Sequence, residues 1–156
     1  MCRVNRFRKP LSRNADRWPP TFFDSSALVK RYAKEVGTSW VFSLVRSSAA
    51  NHLYIARITG VELVSALTRR ERAGRLSGSA VAKAIARFER EFANRYTTVE
   101  VSARLVATAM KLARSHALRG YDAVQLAAAI EVHQARVAAG AREQRELHRD
   151  PRSARY

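Results

Sequence analysis

Residues 21–32 read TFFDSSALVKRY, and this stretch indicates a strand that passes directly into a helix. The β-prone run Thr21-Phe22-Phe23 ends at the polar residues 24–26. After that break, apolar side chains recur at roughly helical spacing. The first strand of the domain therefore carries an acid, Asp24, at the point where the helix begins.

The same change of pattern returns further along the chain. Residues 53–56 (LYIA) and 96–101 are rich in β-branched and aromatic side chains, and a helical pattern follows each run. Residues 123–130 are apolar almost all round, as in a buried helix. Strands that alternate with helices predict an α/β fold in which a central parallel sheet is covered on both faces.

The chain of 156 residues has room for one compact domain. Residues 1–20 are basic, lack periodicity and end in Pro19-Pro20, so we expect a disordered tail there. The domain itself is predicted to span residues 21–139. Residues 140–156 are polar and are expected to form a divergent C-terminal tail.

The formal net charge is +16, from 29 basic and 13 acidic residues. A field of this sign attracts polyanions, which makes nucleic acid the natural partner. An alternative is that the charge is partly compositional, since most of the basic residues are arginine.

Several other classes of protein are disfavoured by the composition. No stretch approaches the roughly 20 uninterrupted apolar residues of a membrane helix, so we expect no membrane association. Cys2 is the only cysteine, which excludes an internal disulfide, and no Cys/His pairs have zinc-ligand spacing. The N-terminal residues lack the apolar core of a secretory signal, and we expect a cytoplasmic protein.

Three acids stand at predicted helix starts: Asp24, Glu62 and Asp122. In an open parallel α/β sheet the carboxyl ends of the strands and the starts of the following helices share one edge, where ligands bind. Carboxylates gathered there repel one another unless a cation separates them. Oxygen ligands without His or Cys select hard ions, so Mg²⁺ or Mn²⁺ is the predicted metal. Such an ion in a basic protein suits phosphodiester hydrolysis.

Each acid also has a local structural explanation. Asp24 has the residue type of a helix N-cap, and Thr59-Gly60-Val61-Glu62 has the S/T-x-x-E form of a capping box. Asp122 in a first helical turn is favoured by the helix dipole. Sequence alone leaves both interpretations open.

Three segments together resemble the PIN-domain ribonucleases of the VapC toxin type. They are residues 22–32 (FFDSSALVKRY), 59–62 (TGVE) and 118–129 (LRGYDAVQLAAA). The resemblance covers about residues 20 to 139. It implies a three-layer α/β/α sandwich and an endoribonuclease that depends on Mg²⁺ or Mn²⁺. It also implies a cognate antitoxin that blocks the site, and frequent homodimers.

The same resemblance assigns roles to individual residues. It makes Asp24, Glu62 and Asp122 the catalytic metal ligands. It also gives Ser25 and Thr59 supporting roles beside the first two acids. Four basic residues are candidates for RNA phosphate contacts, with solvated helix faces as the alternative for each: Lys30, Arg31, Arg69 and Arg70.

The chain departs from the family pattern after the Asp122 helix. Family members usually continue into a further strand with a fourth acid near its end, whereas residues 140–151 contain Leu147 as their only large apolar side chain. We therefore expect the last strand to be absent. Asp150 is the only Asp beyond that helix and is a weak candidate for the fourth acid.

Three functions remain open on this basis. The first is a toxin-type ribonuclease with a carboxylate-bound metal. The second is a catalytically inactive PIN-like module that binds RNA or an antitoxin. The third is a basic nucleic-acid-binding protein that has no metal site and whose acids serve only as helix caps.

Overall fold

The computed structural model describes residues 21–47 and 53–149. The predicted N-terminal tail and Asp150 lie outside these ranges, so neither prediction is addressed by the structure.

Three strands and six helices alternate along the described residues. In chain order they are β1 (Thr21–Phe22), α1 (Ser25–Tyr32), α2 (Thr38–Ser47), β2 (Leu53–Ala56), α3 (Thr59–Arg72), α4 (Gly78–Asn94), β3 (Tyr96–Val99), α5 (Ala103–His116) and α6 (Gly120–Arg149). The predicted alternation is confirmed. The helix that starts beside Asp122 runs beyond residue 139 and reaches Arg149.

The sheet is parallel, with strand order β1-β2-β3. Thr21 pairs with Leu53, and Leu53 in turn pairs with Tyr96. Because the strands run in one direction, their carboxyl ends lie at one edge of the sheet. The segments that follow β1, β2 and β3 therefore begin at the same edge of the sheet.

The central strand shows how the three layers form. All four residues of β2 are buried, as expected for a parallel strand with both faces covered. Leu53 and Ile55 join one apolar cluster with side chains of α1 to α4, whereas Tyr54 and Ala56 join a second with side chains of α5 and α6. The alternation follows from the two-residue period of a strand. The predicted α/β/α sandwich is confirmed.

The described residues contain three strands in this sheet, and none of them follows α6. Within the same residues, no helix combines the length and the apolar character needed to cross a bilayer.

Candidate functional site

Asp24 follows β1 and caps the start of α1. Its Oδ1 accepts a hydrogen bond from the backbone N–H of Ala27 at 2.7 Å, and its Oδ2 accepts one from the Ser26 hydroxyl at 2.9 Å. The predicted N-cap role is therefore confirmed. The side chain is nevertheless exposed, and each carboxylate oxygen has a second lone pair. Capping leaves Asp24 able to accept a further ligand. The hydroxyl that contacts Asp24 belongs to Ser26, whereas the sequence had favoured Ser25.

Thr59 and Glu62 do not form the predicted capping box. The N-cap of α3 is Ile58, which already has helical backbone angles and makes no side-chain capping bond. Thr59 instead points into the protein, where it is fully buried and bonded to Gln125. The capping explanation of Glu62 is wrong, because the helical turn starts one residue earlier and the Thr59 hydroxyl is used elsewhere.

Gln125 of α6 joins the two segments that carry Glu62 and Asp122. Its side-chain amide donates to Glu62 Oε2 at 2.5 Å and to Thr59 Oγ1 at 2.9 Å. Asp122 lies three residues earlier, in the first turn of the same helix, and is exposed. Residues three apart on a helix share a face. Gln125 therefore links the first turn of α3 to the N-terminal part of α6, one turn beyond Asp122.

The chemistry of the three acids favours a metal site, whereas their positions in the structure do not. Their oxygen atoms suit a hard cation such as Mg²⁺ or Mn²⁺. However, among the residues whose side chains the structure describes, no three Asp, Glu, His or Cys side chains stand close enough together to hold a metal ion. The structure joins the helices that carry Glu62 and Asp122 without assembling Asp24, Glu62 and Asp122 into one set of ligands.

A further acid at the same edge of the sheet, Glu100, was not among the acids singled out in the sequence. Glu100 follows β3, and Arg57, which follows β2, donates to both of its carboxylate oxygens through Nε, at 3.0 and 3.2 Å. These bonds hold the pKa of the Glu100 carboxyl below its ordinary value. The predicted strand over residues 96–101 contained Glu100, so only the actual end of β3 at Val99 reveals it as an acid directly after a strand.

Arg31 is not available to RNA. Only 5% of its side chain is exposed, and its guanidinium makes two hydrogen bonds to Glu91 of α4, at 2.7 and 2.8 Å. Both predictions for Arg31, the phosphate contact and the solvated helix face, are therefore wrong. The turn of α1 that carries Arg31 packs against α4, which no local pattern revealed.

The other basic candidates differ in exposure. Arg69 is exposed, and its guanidinium donates to the Ser65 hydroxyl one turn earlier in α3. Arg70 is partly buried and forms an ion pair with Glu35 that links α3 to the segment before α2. Lys30 is also partly buried. Of the four residues, Arg69 is the one that the fold presents most openly to solvent.

Residues 21–149 match the family model described as the PIN domain. The chain belongs to the PIN-domain family. The matched span includes Asp24, Glu62 and Asp122, and it ends before Asp150. This PIN domain therefore extends over every described element, including the part of α6 beyond residue 139.

Two curated relatives are similar to this PIN domain over most of its length. They are Ribonuclease VapC45 and Ribonuclease VapC49, from two strains of Mycobacterium tuberculosis. Each is 37% identical over 114 residues, which cover 73% of this chain and 77% of the relative. The resemblance to VapC-type PIN-domain ribonucleases that the sequence motifs indicated is confirmed.

Proposed function

We propose that this chain is an endoribonuclease, the toxin component of a toxin–antitoxin pair, which hydrolyses RNA phosphodiesters. The observation that carries the proposal is the hydrogen bond from Gln125 to Glu62, which links the first turn of α3 to the N-terminal part of α6, where Asp122 also lies. Both segments lie inside the span that matches the PIN domain. Both curated relatives bear the name ribonuclease.

In this proposal Asp24, Glu62 and Asp122 are the catalytic residues and would hold Mg²⁺ or Mn²⁺ once their side chains turn toward a bound ion, since they do not form a set of ligands without it. An ion of this kind supplies positive charge against the negative charge that develops on a phosphodiester during hydrolysis. The protein's part is to hold the acids in place. Asp24 is fixed by Ala27 and Ser26, and Glu62 is fixed by Gln125.

The net charge of +16 supports RNA as the substrate, because a basic surface draws phosphates from solution. We propose that Arg69 contributes to that attraction, with Lys30 and Arg70 less exposed. A cognate antitoxin that blocks the acids, a homodimer and a cytoplasmic location complete the proposal, as the resemblance of the sequence motifs to VapC-type toxins implies.

The decisive experiment uses the full chain with structured RNA, in the presence and absence of Mg²⁺. We expect cleavage that requires the metal and is abolished by Asp24→Asn. Asparagine can still cap α1, so the folded state is retained while one negative charge is lost. Glu89→Gln is the matched control, because Glu89 is an exposed acid on α4 that is not one of the three proposed catalytic acids. Cleavage that continues unchanged in Asp24→Asn would refute the proposal.

One observation favours the candidates without metal-dependent cleavage, which are an inactive PIN-like module that binds RNA or an antitoxin and a basic nucleic-acid-binding protein without a metal site. Within the described part of the chain the three acids do not converge into a set of metal ligands. The two candidates separate in a titration with Mn²⁺. Metal binding without cleavage indicates the inactive module, and RNA binding without metal binding indicates a basic nucleic-acid-binding protein whose acids act as helix caps.

A further inference from the structure

Gln125 is a buried polar side chain on the face of α6 that otherwise packs into the core with alanine and valine side chains. It is 6% exposed, and its neighbours Ala123, Ala127 and Ala128 are buried in the second apolar cluster. An amide in such a position costs free energy unless it is hydrogen-bonded. Its retention among apolar side chains calls for a role that an apolar residue cannot fill.

The contacts of the amide define how it is oriented. A carboxylate accepts hydrogen bonds and cannot donate them, so the NH₂ group must face Glu62 Oε2, at 2.5 Å. The same nitrogen lies 2.9 Å from the Thr59 hydroxyl, and the amide oxygen lies 3.4 Å from it. Gln125 thus meets one acid and one hydroxyl, both from the first turn of α3.

We propose that Gln125 is a positioning residue for the Glu62 carboxylate. A glutamate side chain rotates about several bonds, and a hydrogen bond to a charged acceptor from a fixed donor restricts that freedom. Gln125 is buried and does not itself reach RNA. This inference rests on the proposed nuclease function, since it assigns to Gln125 the task of presenting one of the proposed catalytic acids.

Thr59 completes the arrangement by fixing the amide. It is fully buried, and as a β-branched residue it has few side-chain rotamers. Its hydroxyl therefore offers Gln125 a rigid partner on the side next to Glu62. The three residues form a chain in which Thr59 orients Gln125 and Gln125 orients Glu62.

The test compares Gln125→Leu with Gln134→Leu in the full chain. Both substitutions lie in α6, but Gln134 is exposed. We expect Gln125→Leu to lower kcat for RNA cleavage by about tenfold or more, a loss typical for residues that orient a metal ligand. KM for RNA should be unchanged, and the Mn²⁺ concentration for half-maximal activity should rise. Wild-type kcat and Mn²⁺ dependence in folded Gln125→Leu would overturn the inference.

A second pair of variants distinguishes a loss of activity caused by misfolding from one caused by a misplaced Gln125 amide. Thr59→Ser keeps the hydroxyl and loses a methyl group, whereas Thr59→Val keeps the shape and loses the hydroxyl. We expect kcat to be retained in Thr59→Ser and lowered in Thr59→Val. A kcat that follows the thermal stability of the two variants, and not the presence of the hydroxyl, would assign a purely structural role to the pair.

The role of Gln125 and the nuclease function can be tested separately. If the wild-type chain neither cleaves RNA nor binds Mn²⁺, the nuclease proposal fails. The Gln125 contact is then measured by hydrogen exchange of its side-chain amide in the same protein. Slow exchange that becomes faster in both Thr59→Val and Glu62→Ala supports the arrangement, and fast exchange in the wild type overturns it.

Discussion

Arg31 and Glu91 form a two-point ion pair between α1 and α4, with Nε to Oε2 at 2.8 Å and Nη2 to Oε1 at 2.7 Å. Tyr32 donates to the same carboxylate at 2.6 Å and lies 2.8 Å from the hydroxyl of Tyr96 in β3. The last turn of the helix that Asp24 caps is thereby fastened to α4 and to the sheet.

The Glu91 contacts predict an acid-dependent loss of stability. Burial opposes ionisation of Glu91, but hydrogen bonds from Arg31 and Tyr32 outweigh it and lower the pKa to about 2 from an ordinary value of 4.5. The folded state therefore gains stability above about pH 4.5 and loses it as the pH falls toward about 2.

Urea unfolding of the wild type and of Glu91→Gln between pH 7 and pH 2.5 tests this dependence. Glu91→Gln should lower the free energy of unfolding at pH 7 by about 3 kcal/mol and flatten its decline in acid. Glu89→Gln serves as control, because Glu89 is exposed on the same helix. Equal acid dependence in the wild type and Glu91→Gln would contradict the assignment.

Substitution of Arg31 and substitution of Arg69 should affect stability and RNA binding differently, although both residues are basic. Arg31→Met leaves the partly buried Glu91 without its main partner and should destabilise the fold by about 3 kcal/mol. Arg69→Ala should barely affect stability. If Arg69 contacts RNA, the substitution Arg69→Ala should weaken the salt dependence of RNA binding. The slope of log K against the logarithm of the salt concentration should become less steep by about 0.7. An unchanged slope in Arg69→Ala would remove that residue from the proposed RNA surface.

The two functions of Asp24 can be separated by two substitutions. Asp24→Ala removes the hydrogen bond to Ala27 and should cost about 1 kcal/mol of stability, whereas Asp24→Asn should cost much less. Both should abolish RNA cleavage if the charge is required. Thermal unfolding and cleavage are measured side by side, and activity that survives in Asp24→Asn but not in Asp24→Ala would reduce Asp24 to a helix cap.

Substitution by alanine should have opposite effects on stability at two glycines, one at the end of α3 and the other inside α6. Gly74 has φ +67°, and the N–H of Arg75 donates to Arg70 O across it at 2.9 Å, which closes the helix. Gly74→Ala should destabilise by about 1 kcal/mol, because a Cβ disfavours that backbone conformation. Gly140→Ala, inside α6, should stabilise by a few tenths of a kcal/mol to about 1 kcal/mol. Chemical denaturation of both variants tests the sign.

Local patterns were sufficient to predict the elements of this fold. The continuous β-prone run at 53–56 and the helical spacing of apolar residues after Asp24 are properties of neighbouring residues, so β2 and α1 were predicted correctly. The same holds for Asp24 as a helix cap, because its partner Ala27 is three residues away. The ends of elements were predicted less well. The actual end of β3 is Val99, two residues before the predicted end at residue 101.

Contacts between residues that are far apart in the sequence have no such local pattern. The sequence by itself determined the order of strands and helices and the position of three acids at helix starts, since periodicity and capping act over one or two turns. The tertiary structure decided that Thr59 bonds to Gln125, 66 positions away, and that Arg31 pairs with Glu91, 60 positions away. The reason is physical: a buried polar group must find a partner, and which partner is within reach depends on how the helices pack.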